Sequence, residues 1–175
     1  MTFLLKQVFG FFKLLNSDTG TNQLAAGIAC GLILGFAPAF SLQTIFVIAL
    51  LFLFRIQIGA ATIFAFFFSL IAWILDPVSH DLGMAVLETE SLKPLFTDMY
   101  NMPLVPLTRF YNSIVMGSAL ISIILAPFIF FLSRILIHKY RQTVVAKFKE
   151  TKFWKAVKAT SFYGLYAKYD ELYGA

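Results

Sequence analysis

The sequence predicts an all-α, polytopic helical membrane protein with a short glycine-packed helical hairpin, two further spans and interfacial amphipathic helices at both ends. Three observations predict it. Apolar residues make up 59% of the 175-residue chain and charged residues only 13%, about half the charged share of a typical soluble domain. A chain this long makes one domain, and its interior cannot hide so much apolar surface from solvent, so much of that surface faces lipid. Second, glycines recur at every fourth position in the apolar stretch 27–38, at Gly27, Gly31 and Gly35, with Pro38 three residues beyond. On a helix this spacing makes one groove without side chains. In water each interior glycine costs on the order of 1 kcal/mol, whereas close backbone approach drives helix association in hydrocarbon. Third, charge is segregated: eight basic residues and one acid, Glu150, lie between Arg134 and Lys158, while five acids and one base, Lys93, lie between Asp76 and Asp98.

The elements follow in order. Residues 3–15 are too short and too charged to span, and form a helix in the headgroup region with Lys6 and Lys13 reaching phosphates. No basic n-region, h-region and Ala-x-Ala cleavage site precede them, so the amino terminus is expected to be retained. A polar turn rich in capping residues, 16–22, comes next. Two apolar stretches, 23–37 and 41–54, flank Pro38; at about 15 residues, or about 22 Å, each falls short of a roughly 30 Å hydrocarbon core. They form either a hairpin that dips into the bilayer or a single kinked helix. The hairpin puts Lys6, Lys13 and Arg55 on the side of the basic tail, as basic residues flanking spans favour. Ile58 to Leu75 is a run of full spanning length, which Asp76-Pro77 is expected to end as the cap and first residue of a new helix.

The acidic segment 76–109, with Pro94, Pro103 and Pro106, predicts short interfacial helices on the outer side. Residues 110–133 give the last span, kinked by Pro127. Residues 1–140 are then a membrane domain, and 141–175 a basic amphipathic cytoplasmic tail whose Trp154, Val157, Phe162, Leu165, Tyr166, Tyr169 and Tyr173 keep helical spacing. Both termini face the cytoplasm.

Candidate sites are few. Gly27, Gly31, Gly35 and Pro38 are helix-packing positions, within the chain or between copies in a homo-oligomer. A re-entrant tip at Pro38–Thr44 also offers freed backbone and the side chains of Ser41, Gln43 and Thr44 to a lipid or ligand. Arg55 is a topology anchor, or else a phosphate contact. Asp76 and His80, at i and i+4 with Asp81 beside them, have the spacing of half a metal site or a proton relay, but no second ligand pair accompanies them and no metal is predicted. His80 is more simply an interfacial polar residue, and both Asp76 and His80 can contact a lipid or a partner. Arg109 and Asn112 flank the last span, where Arg109 can pair with an acid of 76–98. The basic, aromatic tail suits anionic phospholipid better than nucleic acid, because it follows a spanning helix directly. P-loop, Gly-x-Ser-x-Gly, His-Glu-x-x-His and Cys-x-x-Cys signatures are absent, and the single Cys30 excludes an internal disulfide. A non-enzymatic protein without a cofactor is expected.

The order of motifs carries a resemblance. Gly27-x-x-x-Gly31-x-x-x-Gly35-x-x-Pro38, Leu42-Gln43-Thr44, Arg55 and Asp76-Pro77-x-x-His80-x-x-Gly83 together resemble the domain-of-unknown-function family two thousand and sixty-two, a family of small bacterial membrane proteins. Tyr100-Asn101-x-Pro103-Leu104-x-x-Leu107-Thr108-Arg109-Phe110-x-Asn112-x-x-Val115-Met116-Gly117-Ser118 is similar to a longer subgroup, and the likeness covers roughly residues 16–140. This chain has Arg55-Ile56-Gln57 and Asp76-Pro77 where the broad family tends to have Arg-x-Asn and Asn-Pro. Members of the subgroup tend to be encoded beside a large periplasmic protein similar to bridge-like lipid-transfer proteins. The resemblance therefore implies an inner-membrane protein that anchors such a bridge or feeds it phospholipid. A small oligomeric channel or transporter, and a structural partner that stabilises another membrane protein, are the alternative expectations.

Overall fold

Helix is the only regular structure among the residues that the computed structural model describes, 3–17, 19–38 and 41–145. Six α-helices follow in order: α1 Phe3–Leu15, α2 Thr21–Phe36, α3 Leu42–Leu53, α4 Ile58–Leu87, α5 Lys93–Asn101 and α6 Ser113–Tyr140. Single 3-10 turns at Glu90–Leu92 and Val105–Thr108 flank α5, and a π-turn, Arg141–Val145, follows α6. The expected amphipathic tail, Trp154 included, lies outside the described residues. The described residues fall into two compact units, one ending at Ile135 and one beginning at Leu136; all packing described below belongs to the first.

The chain reverses between α2 and α3. The Gln57 N–H, just past α3, donates to the Gln23 carbonyl in the first turn of α2 (3.4 Å), so α3 has brought the chain back to where α2 began. A two-helix hairpin is the outcome, and a single kinked helix over 23–54 is not. With 16 and 12 residues, its arms are about 24 and 18 Å long.

The glycine groove does pack a helix, but a different one from that expected. It receives α4 rather than α3. A Cβ at Gly27 would stand 2.6 Å from the Gln57 carbonyl oxygen, one at Gly31 2.8 Å from that of Ala61, and one at Gly35 2.7 Å from that of Ala65. Contacts advance by four residues on both helices together, so α2 and the first half of α4 run parallel. The reason lies on α4: Ala60 and Ala61, fully buried, and Ala65 are themselves small, and two surfaces of small residues bring backbones together as larger ones cannot. Helix α1 closes the other flank, with Phe11 edge-on to Phe64 at 4.9 Å and Leu14 beside Gly59.

A second correction concerns Asp76-Pro77, expected to end one helix and start another. Helix α4 continues through Pro77 to Leu87, 30 residues in all. Proline removes one backbone donor, yet the far half is held by packing further on. There Gly83 rests on the Ser113 carbonyl and Gly117 on that of Ser79, each so closely that no Cβ fits. Rising numbers on α4 meet falling numbers on α6, so this second seam is antiparallel. His80 Nδ1 and Ser113 Oγ share a 2.6 Å hydrogen bond across it.

Helices α4 and α6 are both long and apolar enough to cross a membrane. Only 22% of the most apolar 18-residue stretch of α4, and 17% of that of α6, is buried, unlike the core helix of a soluble protein. Trp73 at 75% exposure and Phe128 at 67% stand clear of the protein's own packing.

Candidate functional site at the hairpin tip

The hairpin tip is built by side chains that stand in for missing backbone partners. Ser41 caps α3, its Oγ accepting from the Thr44 N–H (3.2 Å), and it is fully buried. The Thr44 hydroxyl donates to the Pro38 carbonyl (2.8 Å), which also accepts the Ser41 N–H (3.2 Å). A helix start leaves its first N–H groups unpaired, and this turn satisfies them locally. The polar groups expected to be free at the tip, Ser41 and Thr44, are thus engaged in closing it. Gln43 differs: its Nε2 is shielded from solvent and has no hydrogen-bond partner among the described residues.

Beside the tip lies the segment that links α5 to α6. Leu42 and Ile45 of α3, with Pro106, Leu107, Arg109 and Tyr111, enclose a half-open cleft of about 240 Å³. Arg109 takes a left-handed backbone conformation, φ 58° and ψ 28°, which costs a non-glycine residue roughly 1–2 kcal/mol. Its own N–H donates to the Pro106 carbonyl (2.9 Å) and its carbonyl accepts the Asn112 N–H (3.0 Å). The backbone is thereby locked while the side chain stays exposed. The expected pairing of Arg109 with an acid of 76–98 is absent: among the described residues it forms no ion pair, and Lys93 joins Glu90 instead (3.8 Å). Asn112 is a helix cap, its Oδ1 accepting from the Val115 N–H (3.1 Å).

Arg55 is the other non-glycine residue with positive φ among the described residues, at 50°. It sits just beyond α3, where the Ile56 N–H reaches back to the Leu51 carbonyl (2.9 Å) and its own N–H to that of Phe52 (3.3 Å). That pair of bonds is the helix ending at which glycine is usual. Arg55 and Arg109 are not brought together: one follows the end of α3, the other adjoins its start.

His80 is spent on Ser113, and Asp76 is half-buried one helical turn before it. Sequence reasoning passed over the α4–α6 seam. Ser79-x-x-x-Gly83 and Ser113-x-x-x-Gly117 carry the same four-residue spacing as the glycine series and would have revealed it. Ser79, which meets Gly117 there, is fully buried.

Fold and site together define an all-helical protein with two helices of membrane-crossing length and a tightly packed short hairpin. The chain belongs to the family described as "Uncharacterized protein conserved in bacteria (DUF2062)", whose model matches residues 9–145. It is similar to an "Uncharacterized protein" of Treponema pallidum (strain Nichols), 28% identical over 114 residues, which are 65% of this chain and 70% of that relative. No solved structure matches.

Proposed function

We propose that this chain is a non-enzymatic component of a bacterial lipid-transfer system, set in the inner membrane by α4 and α6, where it anchors a periplasmic bridge-like lipid-transfer protein or feeds it phospholipid. The observation that carries the proposal is the Gln57–Gln23 hydrogen bond, because it makes α2–α3 a hairpin that enters and leaves on one side. Arms of about 24 and 18 Å do not match a roughly 30 Å hydrocarbon core. A bilayer meeting the exposed Ile45, Phe46, Phe52 and Leu53 of α3 accommodates so short an apolar surface by thinning, and thinning lowers the path a lipid must climb to leave the membrane. The basic residues after Arg134, with Lys13 and Arg55, put both termini in the cytoplasm. Residues 88–112 then face the periplasm, where a bridge protein would meet them.

Two measurements test this. Cysteines at Asn22 and Gln57 label from one face of the membrane and a cysteine at Glu90 from the other; labelling of Asn22 and Gln57 from opposite faces overturns the hairpin placement. Native purification should bring down phospholipid together with a periplasmic lipid-transfer protein. If neither accompanies the chain, the functional reading fails.

A further inference from the structure

We infer that the cleft between the hairpin tip and residues 105–111 is a binding site for the phosphate headgroup of a glycerophospholipid, with the Arg109 guanidinium as the phosphate contact. The inference rests on the lipid-transfer reading above and gives it a place and a ligand chemistry. Three observations converge. Arg109 is exposed, holds a strained backbone conformation and makes no ion pair among the described residues, and a guanidinium's fixed fork of donors matches phosphate oxygens two at a time. The cleft that it lines, about 240 Å³, holds roughly eight waters' worth of volume, the scale of a phosphate and its glycerol rather than of a whole lipid. The remainder of a lipid has somewhere to go: Leu42 and Ile45, which wall the cleft, begin a stripe along α3 that continues through Ala49 to Phe52 at helical spacing. Ile45 and Phe52 are 62% and 67% exposed and Ala49 between them is exposed too, so the stripe from Leu42 to Phe52 offers an acyl chain about 15 Å of apolar surface.

An inorganic phosphate would satisfy the arginine but not the stripe, and a neutral diacylglycerol would satisfy the stripe but not the arginine. Tyr111 completes the cleft wall, edge-on to Tyr100 at 5.6 Å.

The test uses the full-length protein in a neutral detergent and native mass spectrometry with added phosphatidylglycerol, diacylglycerol or inorganic phosphate. Phosphatidylglycerol should bind the wild type at least tenfold tighter than diacylglycerol, and inorganic phosphate should not displace it at equal concentration. Arg109→Gly removes the guanidinium while relaxing the left-handed backbone, so this variant folds at least as well and should still lose phosphatidylglycerol tenfold or more. Arg109→Lys keeps the charge without the fork and should recover part of the loss. Equal binding of diacylglycerol, effective competition by phosphate, or undiminished binding to Arg109→Gly each overturns the site. A wild type that binds no phospholipid yet co-purifies with a periplasmic lipid-transfer protein removes this site and leaves the proposed function standing; loss of both removes both.

Discussion

Gly31 rests on the carbonyl of Ala61, where a Cβ built on the glycine would lie 2.8 Å from the oxygen and 2.9 Å from the Phe64 Cβ. Real Cβ atoms do not come so near backbone, so any larger residue must push α2 from α4. The parallel seam between the hairpin's first arm and the first half of the long helix therefore depends on three hydrogen atoms in place of methyl groups, at positions 27, 31 and 35.

Glycine substitutions should rank by what the new methyl meets. At Gly31 or Gly35, alanine gains about 1 kcal/mol of helix propensity but overpacks a backbone contact, which costs about 1–3 kcal/mol. A net loss of up to about 2 kcal/mol is expected. At Gly83 and Gly117 the methyl would overlap the carbonyls of Ser113 and Ser79 outright, and the loss should exceed that at Gly31. At Gly59 it would meet only the end of the Leu14 side chain, Cδ1 at 3.4 Å and Cδ2 at 3.7 Å, so alanine there should be neutral or stabilising. Unfolding midpoints in detergent give the order, and a Gly59→Ala variant less stable than Gly83→Ala would refute it.

Arg55→Gly should stabilise the chain. The residue closes α3 in the left-handed region, where an arginine costs roughly 1–2 kcal/mol that glycine does not. The side chain is exposed, so its removal takes away little packing. The thermal midpoint should rise by an amount equivalent to about 1 kcal/mol, while the fraction of correctly oriented protein falls if the guanidinium anchors the hairpin's return side. A lower midpoint would mean that Arg55 makes stabilising contacts the structure does not contain.

Much of this arrangement was legible in the sequence. The four-residue glycine period marked a close-packed helix, and the basic residues Lys6, Lys13 and Arg55 around the two short apolar stretches favoured a reversal at Pro38 over a single kinked helix. The packing partner was not legible, because the matching alanines at 60, 61 and 65 lie some 30 residues on and look like ordinary apolar positions. Asp76-Pro77 misled for a related reason. An aspartate–proline pair is a helix start by local preference, but whether a helix breaks there is decided by what holds its far half. Here that is Ser79 and Gly83 against Ser113 and Gly117, a contact between distant segments. The left-handed arginines gave no signal, since nothing local distinguishes an arginine at a helix ending from one on a helix.

Removing either cap at the reversal or at the start of α6 should cost about 1 kcal/mol. Ser41→Ala deprives the Thr44 N–H of its acceptor, and Asn112→Ala does the same to Val115. The effects should be local. Hydrogen exchange at Thr44 should quicken about fivefold in the first variant and at Val115 in the second, each leaving the other site unchanged. Exchange that quickens at both sites in one variant would show that the two turns open together.

The antiparallel seam offers a sharper contrast between two serines. Ser79 Oγ is fully buried and, among the described residues, without a hydrogen-bond partner, whereas Ser113 Oγ is bonded to His80 at 2.6 Å. An unpaired buried hydroxyl costs free energy, and exchanging it for a methyl group is neutral or better; removing a bonded one loses the bond, about 1 kcal/mol. Ser79→Ala should therefore leave stability unchanged or raise it, and Ser113→Ala should lower it by about 1 kcal/mol. The cycle of Ser113→Ala with His80→Ala should show a coupling of similar size, because both single variants break one bond. By the same reasoning Gln43→Leu should be tolerated, since the Gln43 Nε2 is likewise buried and has no partner among the described residues. A loss of phospholipid binding in Gln43→Leu with stability intact would instead place that amide within reach of the lipid and extend the site from Arg109 into the hairpin tip.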